Sequence, residues 1–411
     1  MKTSTKLLNK IFLLFILGWE LSMIGEALLR FTLPLYLFLA TGNSILLGSM
    51  LALSAIPSIL LTPLGGILAD RISKRKIIMG ANAVLVVMTL IYLLTFHRFD
   101  LVVFTTCLLL IIFSANAVLE PSAEAAIPLL VPKEKLETAN GMTFLLTIFS
   151  SVGAPILAGF ILENYRLIII LWLSILLFLG SVLIMGLARV PFTKNVTYKV
   201  KDENQTIRSD LKEGFHFVRI EKPPIGRVIL LMSLLSMTIA PIMSVGLTVL
   251  VSGYFGRGEA TLGIAQGLVV FGGTVGVIFI GILGKRANVN LFRKLIFVMA
   301  GVFIPFSAIL YFSANDQVKF ITTIVSFFIL LSLITLVTII GWTYLGKNTP
   351  ENLLGKIMGL NSTIIAIGVA LGNGLWGMLT RVFIDTPGIA MIIIGGLTLL
   401  IGIFVKVEND V

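Results

Sequence analysis

Long apolar runs alternate with short polar breaks along the whole chain. Twelve runs approach the length of about 20 residues that a bilayer crossing takes. The first six are Ile11–Leu37, Ile45–Leu68, Ile77–Phe96, Leu101–Leu119, Thr138–Leu162 and Leu167–Leu187. After a long polar segment at Val190–Arg227 come Val228–Val251, Leu262–Leu283, Leu295–Phe312, Phe320–Gly341, Ile357–Leu379 and Gly388–Val405. In lipid each backbone N–H and C=O must be paired within its own segment, so each run is predicted to be an α-helix. The pattern predicts an all-α membrane protein of twelve transmembrane helices in two six-helix pseudo-symmetric bundles. Residues 1–189 form the first bundle, 190–227 a linker and 228–411 the second.

Composition fits that picture. The 411 residues are 57% hydrophobic and 12% charged, too few charges to cover a soluble protein of this size. The net charge of +11 does not point to nucleic acid, because the basic residues gather in alternate loops. Twenty-five of the 31 Lys and Arg lie at the N-terminus, in every second loop and at the C-terminus. Arg98, Arg166, Arg257, Lys319 and Arg381 sit singly in the other loops, and Arg30 lies within a span. That asymmetry predicts a multi-pass protein of the cell membrane with both termini in the cytoplasm. Cys107 is the only cysteine, which excludes an intrachain disulfide and a thiolate metal cluster. The first run follows Lys2, Lys6 and Lys10 as a signal peptide would. It is long, carries Glu20, Glu26 and Arg30, and has no small-x-small cleavage site, so a retained helix is expected.

A sequence element recurs between the halves. Gly65-Gly66-Ile67-Leu68-Ala69-Asp70-Arg71-Ile72-Ser73-Lys74-Arg75-Lys76 closes the second run, and Gly281-Ile282-Leu283-Gly284-Lys285-Arg286 closes the eighth. Pro132, Leu136, Gly141 and Gly159 match Pro350, Leu354, Gly359 and Gly377 at one offset of 218. Repeated six-span halves related by an axis along the membrane normal predict a transporter with its substrate site near the midplane. In the central segment, Asp210–Ile220 has the pattern of a short helix lying on the membrane surface.

These segments resemble the major facilitator superfamily. Gly65–Lys76 is similar to its loop signature between helices 2 and 3, Gly-x-x-x-Asp-Arg-x-x-(Arg/Lys)-(Arg/Lys). Pro121–Pro128, with Val131–Leu136 and Asn140-Gly141, resembles the corresponding stretch of the macrolide-efflux and siderophore-export branch. Gly153-Ala154-Pro155-x-x-Ala158-Gly159 is similar to the helix-5 Gly-Pro-x-x-Gly-Gly element of drug–proton antiporters, with Ala154 and Ala158 each replacing a glycine. The resemblance implies the major facilitator fold and a small-molecule substrate, with protons as the coupling ion. It also marks a departure. Such antiporters carry a helix-4 arginine upstream of the Pro121 position, where Leu110–Ser114 here has no charge.

The candidate functional residues follow from cost and placement. Ionisable groups within a span cost about 2.5–3.5 kcal/mol each on insertion scales, so they are functional candidates by default. Glu20, Glu26 and Arg30 on the first span are such groups. Glu26 and Arg30 are four apart on one face and are expected to pair. Glu20 is expected to stand apart, as a proton carrier or an attractor of cationic substrate. Glu120 and Glu124 flank Pro121 and are candidates for proton handling or for facing water. Gly66, Asp70, Arg71, Arg75 and Lys76 are expected to form a cytoplasmic latch, made in one state and broken in another. Lys285 stands at the Asp70 position of the second copy, so that latch is asymmetric. Gly153, Pro155 and Gly159 form the antiporter-like element. Trp19, Asn116, Gln266, Asn361 and Trp376 are candidates for lining a cavity. No phosphate-binding loop occurs, and the two histidines, His97 and His216, fall in loops, so neither an ATP site nor a metal site is expected. No cofactor is expected.

The function expected is secondary active export of a lipophilic or cationic drug, macrolide-like, by alternating access with proton antiport. The alternatives are a carrier of a metabolite, siderophore, sugar or lysolipid, and a transport-inactive membrane sensor. An enzyme is not expected, since no acid–base–nucleophile grouping is close in sequence. The partners expected are small-molecule substrate, protons and the bilayer, with a monomeric chain.

Overall fold

The computed structural model describes residues 10–188, 215–284, 289–383 and 386–404. Side chains at 63–71, 133, 289–290, 351–352, 380–383 and 404 lie outside the description. The first helices are α1 (Lys10–Thr41), α2 (Ser44–Arg71), α3 (Lys74–Thr95), α4 (Leu101–Glu124), α5 (Leu136–Asn164) and α6 (Leu167–Leu187). The others are α7 (Pro223–Ile239), α8 (Glu259–Leu283), α9 (Val289–Phe312), α10 (Asp316–Asn348), α11 (Glu351–Phe383) and α12 (Pro387–Phe404). A single turn, Ile127–Leu130, precedes α5. Among the described residues, eleven helices are long and apolar enough to cross a membrane. The last predicted span is α12, apolar and 18 residues long.

Local chemistry sets the boundaries. Asp100 caps α4, accepting from the Val103 N–H at 2.9 Å, and Asn315 caps α10 through Gln317 and Val318. Pro223 and Pro387 stand in the first turns of α7 and α12, where no N–H is needed. Gly284 ends α8 at φ +50°, a backbone state that a Cβ makes costly. The predicted span Val228–Val251 is not one regular helix. Beyond Ile239 it continues as π-helical turns at Ile242–Gly246 and Val249–Tyr254. Pro241 is the cause, because it removes a donor and crowds the preceding turn. The Trp376 indole N–H donates to the Thr238 carbonyl at 3.1 Å, filling one of the acceptors this region leaves. Of the expected surface helix, residues 210–214 lie outside the description and Phe217–Glu221 is a π-helical turn.

The chain divides into two compact units. Unit 1 comprises Met1–Gly42, Leu53–Lys199 and Glu259–Gly267, and unit 2 comprises Asn43–Ala52, Val200–Gly258 and Leu268–Val411. These differ from the contiguous halves expected at 1–189 and 228–411 by two short exchanged segments. Glycines explain the exchange. A Cβ on Gly159 would meet the Glu259 carbonyl, and one on Gly263 the Pro155 carbonyl, so these backbones touch within unit 1. Within unit 2, Gly48 lies against Asn373 and Gly377, and Ser44 Oγ donates to the Gly377 carbonyl at 3.1 Å.

Each unit repeats one packing scheme. In unit 1, α1 packs on α4, α5 and α6, α3 packs on α4 and α6, and α5 meets α6. In unit 2 the same pairs recur six helices later: α7 with α10, α11 and α12, α9 with α10 and α12, and α11 with α12. The internal sequence repeat therefore has a matching repeat of contacts. Trp172, Leu176, Leu179, Leu183 and Leu187 form one exposed apolar stripe on α6 at helical spacing. Such a face is stable only in an apolar solvent.

Candidate functional site

Glu26 anchors the site. It lies midway along α1 at 1% exposure. Its partner comes from α4, where Asn116 Nδ2 donates to Glu26 Oε2 at 2.9 Å. Glu26 Oε1 is buried with no hydrogen-bond partner. The expected ion pair with Arg30 does not form within 4.0 Å. Arg30 instead lies over the Phe113 ring of α4, 4.3 Å from its centre. Helical spacing put the two on one face, but α4 packs against that face and takes both side chains. Glu20, expected to stand apart, accepts a hydrogen bond from Ser150 Oγ on α5.

Two cavities open beside this cluster, both within unit 1. One, of about 500 Å³, is lined by Trp19 and Met23 of α1, Glu120 and Glu124 of α4, and Asn140, Thr143 and Thr147 of α5. The other, of about 310 Å³, is lined by Ser58 and Thr62 of α2 and by Asn116, Glu120 and Glu124. Both volumes fall in the range of about 300–1,000 Å³ usual for small-molecule sites. Glu120 and Glu124 belong to both walls, so a carboxylate pair stands where the cavities adjoin. Trp19 is 8% exposed, and its buried indole N–H has no hydrogen-bond partner. An aromatic side chain and two carboxylates suit a guest with a positive charge.

The other expected residues scatter. Asn361 is fully buried in unit 2, with neither amide atom partnered. Trp376 lines a small apolar space of about 30 Å³ with Val249, Leu250 and Met391. Gln266 is half-buried on the part of α8 that belongs to unit 1. Gly159 and Pro155 hold the first turns of α8, whereas Gly153 has open space around it. The side chains of Gly66, Asp70 and Arg71, and residues 285–288 of the second copy, lie outside the description. Arg75 donates to the Gly186 carbonyl at the end of α6, and Lys76 is exposed. Among the described residues no group of three or more His, Cys, Asp and Glu could hold a metal ion.

Several residues of the site escaped the sequence reading. Ser150 and Phe113 are ordinary inside apolar spans, and only the packing of α1 on α4 and α5 reveals them. Glu163 accepts from the Ala260 N–H at 2.6 Å and so caps the first turn of α8. Its sequence signal was an acid at the end of a span, which reads as plain solvation.

The sequence profile of the Major Facilitator Superfamily matches residues 15–373. The chain belongs to this superfamily. A similar protein is macrolide efflux protein A of Streptococcus pyogenes, 21% identical over 397 residues, covering 96% of this chain and 95% of the relative. Enterobactin exporter EntS of Shigella boydii serotype 4 (strain Sb227) is 27% identical over 403 residues, covering 93% and 89%. Among solved structures, a mutant of the nucleoside transporter NupG aligns with a TM-score of 0.77 at 13% identity, over 96% of this chain and 99% of that one. The D-xylose-proton symporter aligns at 0.75 and 15%, over 97% and 98%. At these identities the structures establish the shared fold. This member of the superfamily is thus an all-α integral membrane transporter, and its first-unit cavities lie on helices that the fold places in the bilayer.

Proposed function

We propose that this protein exports a lipophilic organic cation by alternating access, in exchange for protons. The observation that carries the reading is the carboxylate pair Glu120 and Glu124 shared by two cavities, one faced by Trp19 and the other reaching Glu26 through Asn116. The carboxylates attract the cation, Trp19 receives its apolar body, and Glu26 is the buried group that exchanges a proton. A buried carboxylate held by one amide donor favours a different packing of α1 and α4 from a buried carboxylic acid, so its proton biases the conformational equilibrium. Arg30 brings a guanidinium from α1 to Phe113, in the Leu110–Ser114 stretch where resembling antiporters carry a helix-4 arginine. The macrolide-efflux relative supports a macrolide-like cargo. The enterobactin-exporter relative supports the direction of transport, while the acidic wall disfavours an anionic guest. Both termini are assigned to the cytoplasm from the distribution of Lys and Arg.

The test is accumulation of ethidium and of erythromycin in a drug-sensitive bacterium expressing the chain, with and without a protonophore. Lowered accumulation that the protonophore restores is expected, and Glu120→Gln with Glu124→Gln should abolish the lowering. Export that the double variant leaves intact would contradict the assigned wall. Unchanged accumulation of both probes would contradict the cargo class.

A further inference from the structure

Unit 2 carries an apolar groove of its own. It lies between α9 and α12 and has a volume of about 840 Å³. Phe297, Ile304 and Phe312 line it from α9, and Ile392 and Leu399 from α12. Ile304 and Phe312 are 73% and 82% exposed, so the groove opens away from the helices. An open apolar groove on helices of a membrane protein is filled from the lipid phase.

Glycines with two different tasks shape it. A Cβ on Gly388 would meet the Ser307 carbonyl and Tyr311, one on Gly395 would meet Phe303, and one on Gly402 would meet Ile296. These three recur every seven residues along α12 and let α9 and α12 close together, running antiparallel. Gly301 and Gly396 also line the groove, yet a Cβ on either would meet nothing within 4 Å. With Gly395 opposite Phe303, the antiparallel register brings Gly396 nearly level with Gly301. Glycine inside a helix is destabilising relative to alanine, and helix packing does not account for these two. Their effect is a bare stretch of floor at one level of the groove, where any side chain would stand in its path.

One end of the groove is cationic. The apolar span on α9 is Leu291–Phe312, and Arg293 and Lys294 stand exposed in its first turn. The Arg293 guanidinium lies over the Phe297 ring, 5.7 Å from its centre, which joins the cation to the apolar wall. Lys285 and Arg286 precede them in the chain, and no Asp or Glu occurs from residue 260 to 315. The distribution of Lys and Arg assigns this end to the cytoplasm. Gly301 follows Arg293 by eight residues, about 12 Å along the helix. The hydrocarbon of one leaflet is about 15 Å deep, half of a core of about 30 Å. A chain whose headgroup sits on Arg293 therefore passes Gly301 and Gly396 within its own leaflet.

We propose that this groove is a binding site for one anionic phospholipid of the cytoplasmic leaflet, with an acyl chain over Gly301 and Gly396 and the phosphate on Arg293 and Lys294. The apolar floor takes the chain, and the paired cations select a negative headgroup. The proposal uses the orientation assigned above and depends on neither the cargo nor the coupling ion. The exposed stripe on α6, a helix without a charged residue, is a reference surface for ordinary surrounding lipid.

The experiment is native mass spectrometry of the purified full chain, released from nanodiscs holding phosphatidylglycerol and phosphatidylcholine in equal amounts. One retained phosphatidylglycerol per chain is expected, bound about thirtyfold tighter than phosphatidylcholine, the effect of two charges at a membrane surface. Arg293→Gln with Lys294→Gln should remove that preference. Gly301→Leu with Gly396→Leu, whose side chains enter the groove and not the protein, should weaken phosphatidylglycerol binding by about tenfold or more. Equal retention of both lipids by the native chain would mean surrounding lipid only, and would overturn the proposal. Undiminished binding to the leucine pair would place the lipid elsewhere and overturn it as well. A dimer of the native chain that the leucine pair dissolves would make the groove a contact between two copies, again overturning it. If the leucine pair does not fold, a phosphatidylglycerol with a diazirine on one acyl chain probes the native protein. Label at 297–312 and 389–399 should persist under excess phosphatidylcholine, while label on the α6 stripe is competed away. Equal competition at both places would overturn the proposal. Neither readout uses a transported solute, so failure of the export reading and failure of this one are separately visible.

Discussion

The hydrogen bond from Asn116 to Glu26 carries a measurable energy. Asn116 Nδ2 donates at 2.9 Å to a carboxyl that is 1% exposed, and the other oxygen has no partner. Asn116→Leu removes that donor and leaves both oxygens bare. A hydrogen bond to a charged group contributes about 1.5–3 kcal/mol, so the single variant should lose about that much stability. At about 2–4 °C per kcal/mol for a unit of this size, its melting temperature should fall by about 3–12 °C. Glu26→Leu removes the group that needs solvating. Adding Asn116→Leu to it should therefore cost less than about 0.5 kcal/mol, because Asn116 itself is half-buried and its amide can turn to the smaller cavity. The expected coupling energy from the double-mutant cycle is about 1–3 kcal/mol. Thermal unfolding in detergent, followed by intrinsic tryptophan fluorescence, measures the native chain and the three variants. A coupling energy near zero would refute the pairing of α1 and α4 through these residues.

Further outcomes follow from the packing. Gly159→Ala should destabilise by about 1–3 kcal/mol, because its methyl runs into the Glu259 carbonyl. Gly153→Ala, in open space on the same helix, should instead stabilise by up to about 1 kcal/mol; melting temperatures of the two variants check the contrast. Glu163→Gln should weaken the hold on the first turn of α8 by about 0.3–1 kcal/mol, read as faster amide exchange at residues 260–263. Phe113→Leu should remove the aromatic face under Arg30, worth about 0.5–2 kcal/mol, and lower thermal stability without changing the fold seen by circular dichroism.

Much of the architecture was legible in the order of residues, because a bilayer permits few solutions. Over the described residues each predicted span follows one helix to within a residue, apart from Val228–Val251, where Pro241 turned a regular helix into π-helical turns. The repeat seen in Pro132 and Pro350 became the repeated packing scheme of the two units. The residues of the candidate site were legible as candidates, and their pairings were not. Glu20, Glu26, Glu120, Glu124, Trp19 and Asn116 all stood out, since each is costly or unusual within a span. Glu26 was matched to Arg30 because spacing along one helix is visible in sequence, while the neighbour on another helix is not. Asn116 and Phe113 took the two partners once α4 packed on α1.

The central claim is that Glu26 links proton movement to export. It is tested most directly in proteoliposomes holding the purified chain, with an imposed proton gradient and ethidium as the transported probe. Proton-driven ethidium movement should occur with the native chain and be absent with Glu26→Gln, while ethidium still binds the variant. Gradient-driven transport at the native rate in Glu26→Gln would contradict the account.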